Sequence, residues 1–305
     1  MNKVTINKRL KAYFELIRPF TLLAPLMVSI FIMMASFFYS NNTESLLFVF
    51  STKILPAGII LAILNSASNI LNQITDLKTD KISKPYRPLP KKIITEKESM
   101  VISIILYLLS IALALTINIT FFVFIVLIAF FTVSYSLPPR LKDKLFINQL
   151  WVGIPRGLLG ILASWSVFSN PIQPLPITIG LIAMVYLIGG SITKDITDAY
   201  ADKKTGTKTL INTYGIKQAA LIAFPFMIFP FLFIPILINT KILEPHFFLL
   251  TFLAIPTCYI FYLMIKDNSK GKHLENTKSW ALMYITYFVF AFGFSMLVIA
   301  GKIIL

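Results

Sequence analysis

The sequence predicts an all-α integral membrane protein, a bundle of nine transmembrane helices forming a single polytopic domain over residues 1–305. Three observations predict it. Hydrophobic residues make up 57% of the chain and charged residues 13%, with a mean hydropathy of +0.79, a balance that belongs to membrane proteins rather than soluble domains. Nine apolar stretches come close to the roughly 20 residues a helix needs to cross a bilayer. The connections between them are short, which argues against a separate soluble domain.

The expected spans cover residues 20–39, 54–72, 100–117, 119–135, 148–168, 176–194, 217–238, 246–265 and 280–301. Residues 1–19 lack the charged, apolar and cleavable pattern of a removable signal. They read as a cytoplasmic interfacial segment, amphipathic over 8–18, before Pro19 opens the first span. The longest polar connections run from about 73 to 99 and from about 195 to 216, whereas 169–176 is a short, uncharged, proline-rich connector. Pro225, Pro230 and Pro235 fall in the seventh span and read as kinks, which a bundle tolerates when neighbours satisfy the freed backbone groups.

The net charge of +15 would suit a nucleic-acid binder, but its distribution argues for topology. With a cytoplasmic N-terminus, 24 of the 28 Lys and Arg fall on the inner side. Lys53, Lys241 and Lys302 fall outside, and Arg156 lies within a span. That bias fixes orientation by the positive-inside rule, and the basic surface suits anionic lipid. The bilayer, and no nucleic acid, is the expected macromolecular partner. The single cysteine, Cys258, sits in an apolar span and reads as a small core residue. His246 and His273 fall on opposite sides of the membrane, too far apart to share a metal.

Five of the thirteen acidic residues lie in two clusters where apolar segments end: Asp76 and Asp80, then Asp195, Asp198 and Asp202. Ionisable groups near membrane depth are costly and mark function by default. On a helix Asn72, Asp76 and Asp80 are spaced i, i+4, i+8 and share a face, as do Asp195, Asp198 and Asp202 at i, i+3, i+7. Carboxylates stacked without interleaved cations repel one another, so each row predicts a shared cation. Ligands that are all oxygen select Mg²⁺ or a similarly hard ion, whose coordination is usually completed by water and substrate phosphates. The metal-ligand candidates are therefore Asn72, Asp76, Asp80, Asp195, Asp198 and Asp202, the five aspartates being the catalytic candidates.

Basic residues follow each cluster. Lys84-Pro-Tyr-Arg87-Pro-Leu-Pro follows the first and Lys203-Lys204-Thr-Gly-Thr-Lys208 the second, which Lys194 also precedes. The loop from Tyr135 adds Ser-Leu-Pro-Pro-Arg140-Leu-Lys142. Arginine offers phosphate a bidentate fork and lysine a point charge. Arg87, Arg140, Lys142 and Lys194 are thus candidates to hold a diphosphate. Arg156 needs an anion that the sequence does not identify.

The stretch Asn72-Gln-x-x-Asp76-x-x-x-Asp80 with Lys84-Pro-Tyr-Arg87-Pro resembles the first signature of the UbiA-type intramembrane prenyltransferases. Lys194-Asp195-x-x-Asp198-x-x-x-Asp202 with Gly206-Thr-Lys-Thr-Leu resembles the second. Arg18-Pro19, the Tyr135-to-Lys142 loop and the length of the chain are also similar. The resemblance implies a nine-helix bundle around a central cavity open to the bilayer, capped by cytoplasmic loops. It implies Mg²⁺-dependent transfer of a polyprenyl group from an isoprenyl diphosphate to an aromatic or lipid hydroxyl acceptor, with diphosphate released at the cytoplasmic face, as in quinone or lipid biosynthesis. By position, Asn72, Asp76 and Asp80 would bind one Mg²⁺–diphosphate face, and Asp195, Asp198 and Asp202 the other. Arg87, Arg140 and Lys142 would hold diphosphate oxygens, and Tyr135 is a candidate aromatic beside the reacting carbon. Gln73 stands where many members have Asp; homogentisate-type members share that Asn-Gln pair but usually lack the Arg87 equivalent. The Lys-Pro-Tyr-Arg-Pro stretch is similar to chlorophyll-synthase, archaeal-lipid and hydroxybenzoate-type members, so the acceptor class stays open. Two alternatives also stand: a UbiA-type terpene cyclase acting on the prenyl diphosphate alone, and a divalent-cation transporter.

Overall fold

The computed structural model describes residues 6–266 and 275–304, so Lys3, Lys270, Lys272 and His273 of the charge and histidine patterns lie outside the described residues. No strand occurs among the described residues. An amphipathic helix α1 (Ile6–Leu16) leads into α2 (Pro19–Tyr39), with Pro19 in the first turn, where its missing N–H costs nothing. Then come α3 (Leu46–Thr75) and a short α4 (Leu77–Ser83). Next are α5 (Glu96–Ala114), opened by a Thr95–Glu98 capping box, and α6 (Ile119–Ser136), capped by Asn118.

Residues 147–165 form α7 in three consecutive helical pieces, the middle one a π-helical turn over Ile154–Leu159. After it come α8 (Pro174–Gly190), a 3₁₀ turn and α9 (Asp195–Thr205). The chain continues through α10 (Leu210–Tyr214), α11 (Ile216–Leu232) and α12 (Ile234–Asn239). It ends with α13 (Ala254–Ile265), entered by a 3₁₀ segment, and α14 (Lys278–Ile304). Pro225 and Pro230 lie inside α11, and Pro235 opens α12 after the break at Phe233, as expected of kinks.

Eight helices among the described residues are long and apolar enough to span a bilayer. The expected ninth span, 148–168, is helical over 147–165 but falls short on apolarity because it carries Asn148, Gln149 and Arg156. It is nonetheless enclosed by the bundle. Ile161 and Trp165 join the core built by α8, α11, α13 and α14, while Leu159, Leu162 and Ala163 join the core built by α3, α5 and α6. Helix α2 is shared in the same way, through Val28 and Ile32 on one side and Met33 and Phe37 on the other. The protein is thus two packed halves joined along α2 and α7.

Around its outside, large apolar side chains stand exposed, Leu47 at 79%, Leu108 at 62% and Ile255 at 67%. An apolar exterior of this extent belongs against lipid, and the protein is integral to a membrane. Cys258, expected in the core, is instead exposed on this outer surface, because its helix buries Thr257 and Ile260 instead.

Small residues let the helices approach closely. A Cβ on Gly157 would come within 2.5 Å of the Met184 backbone in α8. Gly157→Ala should therefore force α7 away from α8 and cost about 1–3 kcal/mol, measured as a lowered midpoint of thermal unfolding in detergent. An unchanged midpoint would contradict this packing.

Candidate functional site

Helix α3 hands its first acidic row directly to α4. Asp76 lies at the junction (φ −98°, ψ 10°), and the backbone bonds Asp76 N–H to Asn72 C=O (2.9 Å) and Asp80 N–H to Asp76 C=O (2.8 Å) keep the row nearly in register. The second row occupies α9 from its first residue. Helices α4 and α9 pack on each other, with the hydroxyls of Thr79 and Thr205 3.2 Å apart. Both acidic rows therefore line one chamber, together with Lys84, Arg87, Tyr135, Lys142 and Lys194.

The expectation that the carboxylates stand without interleaved cations is corrected by the fold, which brings those cations in from other segments. Lys142 Nζ lies 2.6 Å from Asp76 Oδ1, with Arg140 Nη2 at 3.4 Å. Lys84 pairs with Asp198, Arg87 with Asp80 at 2.8 Å and Lys194 with Asp195 at 2.7 Å. Among the described residues Asp202 is the one aspartate of the five whose carboxylate has no ion pair or hydrogen bond, although its backbone carbonyl accepts from Thr207 N–H at 3.0 Å. Arg140, whose backbone is left-handed (φ 50°), also binds Asp143 at 2.7 Å; shared between two carboxylates, it lines an adjoining cleft with Thr75 and Lys78, outside the chamber's lining. Tyr135 donates to Asn148 Oδ1 (3.0 Å) and accepts from Lys194 Nζ (3.2 Å). Its ring also lies 5.9 Å from both Lys142 and Lys194, so it positions these two ammonium groups.

The residues present suit a hard divalent cation. The donor set is oxygen only, and Asp195 Oδ2 is buried with no hydrogen-bond partner, an orphan that a cation would satisfy. Among the described residues no three carboxylates converge into a ready-made metal cage. Mg²⁺ usually takes one or two carboxylates from a protein and keeps its other positions for water and phosphate.

Glu275, just before α14, was missed by sequence reasoning. It accepts from Tyr86 OH (2.6 Å) and Arg87 Nε (3.3 Å), and its Oε1 pairs with Arg87 Nη2 and lies 2.9 Å from Arg18 Nη2. Its one signal in the sequence is a lone acid between Lys272 and Lys278 in an acid-poor chain. Burial by itself would raise the Glu275 carboxyl, but Arg87 and Arg18 outweigh it and hold the group down at about 2. A depressed carboxyl adds stability above the ordinary value of 4.5 and loses it as pH falls through about 2. Wild type should therefore unfold at higher temperature than Glu275→Gln at neutral pH. The gap should close as the pH is taken down to about 2, and a gap independent of pH would refute the assignment.

Below the charged chamber lies a second, apolar one, lined by Ala24, Val28, Leu61, Leu64, Ile128 and Leu187. The two share Thr21, Thr132, Val152, Pro155, Arg156, Lys194, Trp280 and Tyr284 as a common boundary, so a charged chamber and a greasy one adjoin along these residues. Trp280 and Tyr284 stack at that boundary, centroids 4.6 Å apart and 18° from parallel. Neither was distinguishable in sequence from ordinary aromatic residues of a span.

The fold and chamber define an intramembrane protein built to hold a molecule with a polyanionic head and an apolar body. The chain belongs to the UbiA prenyltransferase family, whose model matches residues 22–286. It is 27% identical over 283 residues to the digeranylgeranylglyceryl phosphate synthase of Methanosphaera stadtmanae, covering 92% of this chain and 98% of that one. Its fold matches a solved structure described for the biosynthesis of digeranylgeranylglyceryl phosphate synthase in membranes, with a TM-score of 0.65, 25% identity, and coverage of 98% and 100% of the two chains. A UbiA homolog from Archaeoglobus fulgidus bound to DMAPP and Mg²⁺ matches with a TM-score of 0.64 over 95% and 99% of the chains, at 19% identity. That last likeness is one of fold.

Proposed function

We propose that this protein transfers a polyprenyl group from its diphosphate to a lipid acceptor, with Mg²⁺ as cofactor. The observation that carries the reading is the meeting of two oxygen-rich rows across one charged chamber that adjoins an apolar one. Asn72, Asp76 and Asp80 on one side, and Asp195, Asp198 and Asp202 on the other, would hold Mg²⁺. The bound cation would neutralise charge gathering on the leaving diphosphate. With the carboxylates engaged by a cation, Lys84, Arg87, Lys142 and Lys194 would be free to donate to diphosphate oxygens, with Arg140 beside them. Their positive charge is worth most where water is excluded and charge develops in the transition state.

The bond between donor C1 and the bridging oxygen breaks, and its electron pair leaves with the diphosphate. C1 then bonds to the acceptor's nucleophilic atom, and the proton lost from that atom passes to the diphosphate. The apolar chamber lodges the isoprenoid chain and keeps water from capturing the allylic cation. The relative from Methanosphaera stadtmanae is named for a glyceryl phosphate product, which favours a prenyl ether of glyceryl phosphate as acceptor over an aromatic ring. The basic residues beside the chamber favour a cytoplasmic site and N-terminus.

The test is diphosphate release by lipid-reconstituted protein given allylic diphosphates of increasing length, with and without Mg²⁺ and with acceptors in pools. Release that needs both Mg²⁺ and an acceptor, with the coupled product seen by mass, supports transfer. Release without any acceptor, yielding a hydrocarbon or terpene alcohol, would indicate a cyclase. No release from any donor would overturn the reading.

A further inference from the structure

Resting on that reading, we infer that Arg156 is the acceptor's oxyanion subsite, holding the phosphate of the incoming lipid beside the reacting carbon and opposing donor ionisation until that phosphate arrives. Arg156 lies in the π-helical turn of α7, between buried Pro155 and buried Gly157, yet is itself exposed because it opens onto the cavity. It belongs to the boundary shared by the charged and apolar chambers. At 1.5 Å per residue it stands about 12 Å further along α7 than Asn148, which is level with Tyr135 in the charged chamber.

Its bonding sets it apart from the other cations of the site. Lys84, Arg87, Arg140, Lys142 and Lys194 each hold an aspartate, and Arg18 holds Glu275. Among the described residues the Arg156 guanidinium has no ion pair or hydrogen bond. Its backbone carbonyl accepts from Tyr287 OH at 2.9 Å, which fixes the turn. Arg18, Tyr284 and Tyr287 feel its charge, and none of them is an anion. A guanidinium without a counter-ion at the mouth of an apolar chamber is a ready site for an anion.

The aspartate rows and their cations compete with Arg156 for the donor's diphosphate. That diphosphate is drawn to the two aspartate rows and their five cations, and the donor's chain must run into the apolar chamber. C1, where positive charge builds, then lies on the path between the rows and Arg156. A guanidinium on that side repels the forming cation. The repulsion is cancelled when an acceptor phosphate or carboxylate neutralises Arg156, and the same contact, bidentate through the guanidinium fork, brings the acceptor's nucleophile next to C1. One residue thus couples acceptor binding to bond breaking and protects the donor from water until an acceptor is bound.

The experiment compares wild type, Arg156→Gln and Arg156→Lys in reconstituted vesicles. It uses a monoprenyl ether of glyceryl phosphate and its dephosphorylated glycerol ether as acceptors, and 4-hydroxybenzoate and its methyl ester as a carboxylate pair. Wild type should prefer whichever charged acceptor it uses to its neutral partner by about tenfold or more. Arg156→Gln should raise the KM for the charged acceptor by about 10- to 100-fold. It should leave the donor KM within about twofold, erase the preference over the neutral partner, and raise acceptor-independent diphosphate release by about tenfold. Arg156→Lys should keep that release low, since it keeps the charge, while recovering only part of the acceptor affinity, since it loses the fork.

Several results would overturn the inference. They are equal use of charged and neutral acceptors by wild type, a raised donor KM with the acceptor KM unchanged in Arg156→Gln, or a Lys variant as leaky as the Gln variant. Absence of diphosphate release by wild type with every acceptor would instead count against the transferase reading itself.

Discussion

Asp76→Asn and Asp198→Asn should each lower Mg²⁺-dependent diphosphate release by about 10²- to 10³-fold, the loss seen when one electrostatic partner of a transition state is removed. The asparagine substitutions keep the shape of the side chain and remove only the charge a cation needs. Lys142, which Asp76 holds at 2.6 Å, would still bond Asn72 Oδ1 and Thr75 Oγ1, each at 3.0 Å. Lys84 could still donate to the amide oxygen at position 198. Neither variant should therefore unfold, and the midpoints of thermal unfolding should stay close to wild type. Glu44→Gln, which removes only the exposed partner of Lys53, serves as the control and should be as active as wild type. A loss confined to one of the two rows would break the claim that they form a single site.

Arg87→Ala should carry the largest cost in stability. Arg87 is 8% exposed at its side chain and joins Asp80, 5% exposed, to Glu275, so it ties α4 to the segment that opens α14. Deleting one partner of a buried pair leaves an uncompensated charge and costs about 3–5 kcal/mol. Here two carboxylates lose their partner at once, while Glu275 retains Arg18 at 2.9 Å and Tyr86 at 2.6 Å. The orphaned charge is thus chiefly that of Asp80. Thermal or denaturant unfolding in detergent reads the effect directly, and Arg87→Ala should fall well below Glu275→Gln. Equal midpoints for the two variants would mean that the Asp80 contact contributes little.

The spans and the two acidic rows were legible because each depends on local spacing. An apolar run of sufficient length must be a helix in lipid, and Asp195, Asp198 and Asp202 share a face wherever that helix lies. The partners of those aspartates were not legible. Lys142 reaches Asp76 across 66 positions of sequence through the packing of α3 against α6, and Lys84 reaches Asp198 across 114 through the docking of α4 on α9. Glu275 depends on the same long-range closure. The expected ninth span lost its place among the apolar eight because Asn148 and Arg156 face the chamber; the polar residues that weakened the hydropathy signal mark the site. Cys258 was misplaced because an apolar residue in a span can face lipid as readily as core, a distinction that hydropathy alone does not carry.

The account's central claim is that two acidic rows, distant in sequence, hold one diphosphate together. The measurement that tests it most directly is calorimetric binding of an unreactive allylic thiodiphosphate with Mg²⁺ to wild type, Asp76→Asn, Asp198→Asn and the double variant. One site predicts one donor analogue per chain in wild type, binding that disappears without Mg²⁺, and comparable loss from either single substitution with little further loss in the double. Two bound analogues per chain, or a substitution in one row that leaves binding by the other intact, would contradict it.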